Sequence, residues 1–160
     1  MKLKLPHTLP QKVLEGLTVG VLLLQFLLPL VLWKRLPDPL PTHYNAAGEV
    51  DAWGSRGTVF LMPGLAAVMW LSVQLVIYKV DPRNWNMPFR VPYGREIPVY
   101  SAAKTTLIAV NLEMVLIFAA MELVTATGAI RWFWLATGLP IGAVTVTLIA
   151  GFVIAARRRY

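Results

Sequence analysis

Between Pro41 and Arg56 the chain reads PTHYNAAGEVDAWGSR, which places one imidazole (His43), one carboxamide (Asn45), two carboxylates (Glu49 and Asp51) and one guanidinium (Arg56) in a single short segment. Three kinds of chemistry are open to such a set. His43, Asn45, Asp51 and Arg56 can supply polar contacts to a ligand, an extracellular peptide or a partner helix, with Tyr44 and Trp53 adding apolar ones. His43 with Asp51, Glu49 and, from further along, Glu122 can gather one nitrogen and several oxygens around a metal, although there is no paired-histidine spacing of the kind a zinc helix uses. Alternatively the same groups only shape the loop, with Asn45 and Asp51 accepting backbone amides, Gly48 supplying a positive φ for a tight turn, His43 an ordinary surface ring and Arg56 meeting phosphate.

Other catalytic chemistry finds little support. The chain has no cysteine, so it has neither a disulfide nor a thiolate to act as nucleophile or metal ligand. No Gly-x-Ser-x-Gly elbow and no Walker loop occurs. No cofactor is implied.

The elements that must position these residues belong to a membrane. Of 160 residues, 57% are hydrophobic and 14% charged, and the mean hydropathy is +0.61, too apolar for an ordinary soluble domain. Four mainly apolar segments, roughly 13–33, 58–80, 102–127 and 132–156, meet the length of about 20 residues needed to cross a bilayer. They are continuous rather than alternating, which predicts helices, and so an all-α bundle of four transmembrane helices in a single membrane domain. The start Met1-Lys2-Leu3-Lys4 resembles the basic end of a signal peptide, but the apolar run after Lys12 is as long as a full span and no small-x-small cleavage site follows, so it is expected to stay as the first helix.

The net charge of +7 would point to nucleic acid in a soluble chain; here the bases flank apolar segments, and anionic lipid headgroups are the expected counter-charge. Lys2, Lys4, Lys12, Lys79, Arg83, Arg90, Arg95, Lys104 and Arg157 to Arg159 would lie on one side, with Lys34, Arg35, Arg56 and Arg131 on the other. The positive-inside rule then predicts both termini and the loop 81–101 in the cytoplasm, and the loop 34–57 outside. The inner loop mixes prolines, aromatics and arginines, as an interfacial tether would.

Several polar residues fall inside the spans. Glu113 is nine residues beyond Lys104, about 13 Å along a helix and close to mid-membrane, where a carboxyl must be neutral, paired or beside water. It either bonds to Gln25, Gln74 or a threonine, or serves as a proton or ligand site. At about 100° per residue, Lys104, Asn111 and Glu122 share one stripe, and Glu113 points about 200° away from Asn111. The third helix is therefore expected to pack on both sides. Glu122 is expected about 27 Å above Lys104, at the level of the outer loop. In the fourth span, Gly138 and Gly142 flank Pro140, a spacing that permits close helix approach. Pro63 is expected to mark a first turn or a kink, and Ser55 to cap the second helix.

LPDPLPTHYNAAGEVDAWGSR, followed by TVFLMPG, resembles the signature of a bacterial and archaeal membrane family of unknown function, a domain also found at the front of SdpI-type proteins. Pro41, Thr42, His43, Asn45, Gly48, Asp51, Gly54, Arg56 and Pro63 occupy the signature positions, over about the first third of the chain. SdpI-type proteins include the immunity factor against a secreted sporulation-delaying toxin, but they are longer and have more spans. The resemblance implies a multi-span protein that senses or neutralises an extracellular peptide, or sets the level of a signalling partner. A small transporter or proton path using Glu113, Gln25 and Asn111, which would require a homo-oligomer, and a membrane enzyme or metal site on the outer face are the alternatives.

Overall fold

A computed structural model describes residues 2–128 and 132–160. Four helices, α1 (Leu9–Val31), α2 (Leu61–Lys79), α3 (Glu96–Thr127) and α4 (Phe133–Arg157), are the principal elements, and four helical segments are long and apolar enough to cross a membrane. This is a multi-pass membrane protein of helical-bundle architecture. Its outer-facing side chains include Leu23, Leu27, Leu30, Val68, Leu71, Val146 and Ile149, all exposed on the isolated chain. In a bilayer these meet acyl chains, so the inside of the bundle is distinguished by its polar groups rather than by hydrophobicity.

Helix α3 is central. It packs against each of the other three helices. Gln11 of α1 donates to Thr105 Oγ1 at 2.8 Å and Gln25 of α1 to the Val115 carbonyl at 3.3 Å. Asn111 donates to the Trp70 carbonyl of α2 at 3.5 Å, while Thr147 of α4 donates to Glu113 Oε1 at 2.6 Å. The opposed directions expected for Asn111 and Glu113 are thus used to grip two different neighbours, and the predicted threonine partner of Glu113 is Thr147. Leu22, Ala66 and Val115 form a buried cluster where α1, α2 and α3 meet.

The helix boundaries differ from the hydropathy reading for local reasons. α1 begins at Leu9, earlier than 13, because Thr8 donates its amide to Gln11 Oε1 and Pro10 suits a first turn. α3 begins at Glu96 rather than 102: Gly94 turns the chain at φ 81°, Glu96 places a carboxylate in the first turn, and Pro98 still falls where no intrahelical amide is needed. The inner loop is correspondingly shorter and packs on the helix ends, with Trp85 edge-on to Tyr100 and Phe89 edge-on to Phe152. At its start Arg83 donates to Asp81 from both side chain and amide, which holds the Asp81 carboxyl well below the usual carboxylate range.

Gly138 and Gly142 do not make the expected close approach among the described residues: nothing from another element lies within 4 Å of where a Cβ would sit on either. Gly151 does: a Cβ there would run into the side chain of Thr106 on α3.

Both termini and the α2–α3 linker share one end of the bundle, where Lys2 Nζ reaches the Tyr78 carbonyl at 2.7 Å and Arg95 meets the Tyr160 carbonyl. At the other end lies a two-stranded antiparallel hairpin, β1 (Leu40–Tyr44) and β2 (Val50–Gly54), followed by a 3₁₀ turn at Arg56–Phe60. Arg131, assigned above to the hairpin side, lies outside the described residues.

Candidate functional site

The hairpin is held by its turn and its seat. Asn45 Oδ1 accepts the amides of Ala47 and Glu49, both at 2.9 Å, and the Gly48 amide returns to the Asn45 carbonyl at 2.9 Å. Gly48 has φ 82°, as a type I turn closing on a left-handed residue requires. Asn45 and Gly48 therefore build the loop, and Glu49 is engaged by Asn45 Nδ2 at 3.1 Å. Gly54 permits the strand to lie against its neighbours, because a Cβ would approach Thr42 Cγ2 to 2.7 Å and Thr58 Cγ2 to 2.9 Å. Leu36, Leu40 and Val59 are buried together against Phe60 and Ala126, fixing the hairpin to the end of α3.

Arg56 reaches Asp38 at 3.6 Å and lies 5.8 Å from the ring centroid of Trp33, which itself stacks on Phe60. It staples the end of α1 to the second strand. Ser55 does not cap α2 with its side chain; its carbonyl instead accepts both the amide and the hydroxyl of Thr58. α2 starts after this 3₁₀ turn, and Pro63 sits in its first turn, buried.

Among the described residues, Asp51 accepts from no loop amide. It faces His43 across the strands, Oδ1 to Nδ1 at 2.5 Å, and both side chains are exposed. A carboxylate only accepts, so the neutral ring carries its hydrogen on Nδ1 and turns Nε2 outward as an acceptor. Among the described residues no three His, Cys, Asp or Glu side chains are grouped to hold a metal ion: Glu49 is turned to Asn45, and the metal geometry drawn from His43, Asp51, Glu49 and Glu122 is not assembled.

Glu122 reaches the level of the hairpin, as its position on α3 predicts. It is 3% exposed, and neither carboxylate oxygen has a hydrogen-bond partner among the described residues. It lines a cavity of about 250 Å³ under the hairpin, together with Thr42, His43, Tyr44, Thr58 and Thr125. On its other side it lines a second cavity, of about 220 Å³, between α1 and α3, which also contains Gln25. Gln25 Oε1 is likewise buried without a partner among the described residues. A buried carboxylate without donors is costly, and two adjoining spaces lined by the same group are where a donor or a cation would be received.

The structure thus brings His43, Asp51 and Glu122 to one end, leaves Asn45, Gly48 and Arg56 as builders of that end, and keeps Asn111 and Glu113 deeper in the bundle. Thr58 and Thr125 were not singled out from sequence; they carry no motif, and only the hairpin's placement over α3 unites them with Thr42 of the signature. His7, at the opposite end, pairs with Glu15 at 2.9 Å.

Comparison with known proteins bears on this end of the chain. Residues 20–67 match the model of a domain of unknown function, DUF1648. An uncharacterised protein of Archaeoglobus fulgidus is 35% identical over 95 residues, which cover 59% of this chain and 50% of the relative. The chain thus spans about half the length of the curated relative it matches. No solved structure matches. The chain is consistent with a membrane family of unknown function, and the matched segment contains the whole hairpin.

Proposed function

We propose that the chain is a non-enzymatic, SdpI-like immunity, signalling or ligand-sensing module that acts through its hairpin on the extracytoplasmic side, with both termini in the cytoplasm. The ligand class is a peptide or other molecule carrying a cationic or multiply donating group. The observation that carries this reading is Glu122: a carboxylate buried at 3% exposure, without a hydrogen-bond donor among the described residues, facing a cavity roofed by His43 and Tyr44. The exposed His43–Asp51 pair at the rim offers an outward acceptor to a ligand entering that cavity. The resemblance of the segment 41–63 to the front of SdpI-type proteins supports the same reading.

The test is protection of a sensitive host by the expressed chain against a panel of secreted cationic peptides. Wild type is expected to raise survival against at least one, and Glu122→Gln and His43→Ala to lose that protection at equal abundance in the membrane. Equal protection by both variants would remove the reading.

A transport or proton-path reading rests on Glu113, whose Oε2 has no hydrogen-bond partner among the described residues although Oε1 accepts from Thr147. It expects flux in liposomes that depends on Glu113. Flux unchanged in Glu113→Gln would dispose of it.

A further inference from the structure

The end of the bundle opposite the hairpin contains a second polar site, built by other residues. The segment Lys2 to His7 crosses the end of α2 and is tied there at two points, Lys2 Nζ to the Tyr78 carbonyl at 2.7 Å and the Leu3 amide to Asp81 Oδ2 at 3.3 Å. Between this strap, the last turn of α2 and the first turns of α3 lies a cavity of about 310 Å³ lined by Lys2, Lys4, His7, Tyr78, Pro82 and Lys104.

Lys104 is the unusual member. It is 4% exposed, yet its ammonium makes one long hydrogen bond, 3.4 Å to the Pro6 carbonyl, besides lying 5.5 Å from the Tyr78 ring centroid. An ammonium has three donors, and burying it without an acceptor of opposite charge is costly. The nearby carboxylate, Glu15, makes no ion pair with it among the described residues: its oxygens accept the Tyr78 hydroxyl at 2.7 and 2.9 Å and lie 2.9 Å from His7 Nε2. Asp81 is likewise held by Arg83. Three lysines therefore surround a space whose acidic neighbours are turned to other partners.

We propose that this cavity binds a phosphate group, with Lys104 at its base and Lys2 and Lys4 at its mouth. Phosphate offers several strong acceptor oxygens and at least one negative charge, which matches donors held apart around a concave site. Lys104 lies eight residues into α3, about 12 Å from its start, at a depth that the headgroup of a lipid lodged between the strap and α2 reaches. The phosphate is carried by an anionic lipid headgroup or taken up free from solution.

The experiment uses the full chain purified in mild detergent, offered equal amounts of phosphatidic acid and phosphatidylcholine, with retained lipid counted by native mass spectrometry. Wild type is expected to retain phosphatidic acid preferentially, and Lys104→Met to lose that preference on the order of tenfold, as removal of one charge-assisted contact would do. Lys2→Gln with Lys4→Gln, altered at positions outside the helices, should weaken it as well and stands in if Lys104→Met fails to fold. Displacement of the lipid by inorganic phosphate would assign the site to free phosphate, and retention in its presence to the headgroup; both support the proposal. Equal retention of the two lipids by wild type, together with no lysine-dependent binding of inorganic phosphate, would overturn it. So would preference that survives both lysine variants but falls in an Arg157→Gln, Arg158→Gln control.

Discussion

His43 and Asp51 meet across the hairpin with Nδ1 and Oδ1 2.5 Å apart, at the rim of the cavity that Glu122 lines. Both are exposed, so their contribution to stability is small, about 0.2–1 kcal/mol for a pair of this kind. Their value lies in orientation: the carboxylate selects the ring tautomer and its direction. Asp51→Asn should therefore leave thermal stability in detergent within about 1 kcal/mol of wild type. In the same variant the ¹⁵N signals of the His43 ring should move from one dominant Nδ1–H tautomer to a mixture. Unchanged ring signals would show that Asp51 does not orient His43.

The hairpin turn should be separable from the bundle. Gly48→Ala forces a side chain into a left-handed conformation, a cost of roughly 1–2 kcal/mol. Asn45→Ala removes the acceptor of two amides. Both variants should be cut by protease between Tyr44 and Val50 faster than wild type, while the four helices keep their circular dichroism and melting behaviour. Concerted loss of helix and hairpin would mean that the turn is coupled to the whole fold.

The parts of this architecture that were legible in the sequence are those set by period and length. Four long apolar runs, the two-sided polarity of α3 and the height of Glu122 follow from helical geometry alone, and Asn45 and Gly48 announce a turn by residue type. The hairpin itself was hidden, because Pro41, His43 and Gly54 break the alternation that marks a strand, and its pairing depends on being seated against Leu36, Val59 and Ala126. The contact of Asp51 with His43 was hidden for the same reason: the strands pair with an irregular register, His43 against Ala52 and Tyr44 against Val50, and this leaves the Asp51 carboxylate beside the His43 ring. Lys104 showed as part of a polar stripe, but that it forms no direct ion pair among the described residues depends on Glu15 being turned to Tyr78 and His7, a fact of tertiary packing.

The choice of helix-packing glycine is testable by rescue. A Cβ at Gly151 collides with Thr106, whereas one at Gly138 or Gly142 meets nothing within 4 Å among the described residues outside its own helix turn. Gly151→Ala should destabilise the α3–α4 contact by about 1–3 kcal/mol, the usual range for overpacking, and Gly138→Ala should not. Thr106→Ala in the same chain should restore most of the loss, a coupling that independent sites would not show. Equal effects of Gly138→Ala and Gly151→Ala, without rescue, would contradict the close approach.

Asp81 gives a pH dependence whose sign can be worked out. Its carboxyl is held below the ordinary range first by the Arg83 side chain, then by the Arg83 amide, with the Leu3 amide adding to them. Because the folded value lies below the unfolded one of about 3.9, the contribution to stability is complete above the unfolded value. It declines as pH falls below that value, where the unfolded chain takes up a proton that the folded chain refuses. Wild type should therefore melt above Asp81→Asn by a constant margin at neutral and mildly acidic pH, and the margin should close on acidification below about pH 4. Because Leu3 is tied to the same carboxylate, loss of Asp81 should also release the strap that walls the Lys104 cavity, seen as faster amide exchange over residues 2–7 at neutral pH. A margin that grows on acidification, or exchange over 2–7 unchanged in Asp81→Asn, would show that this carboxylate does not hold the two segments together.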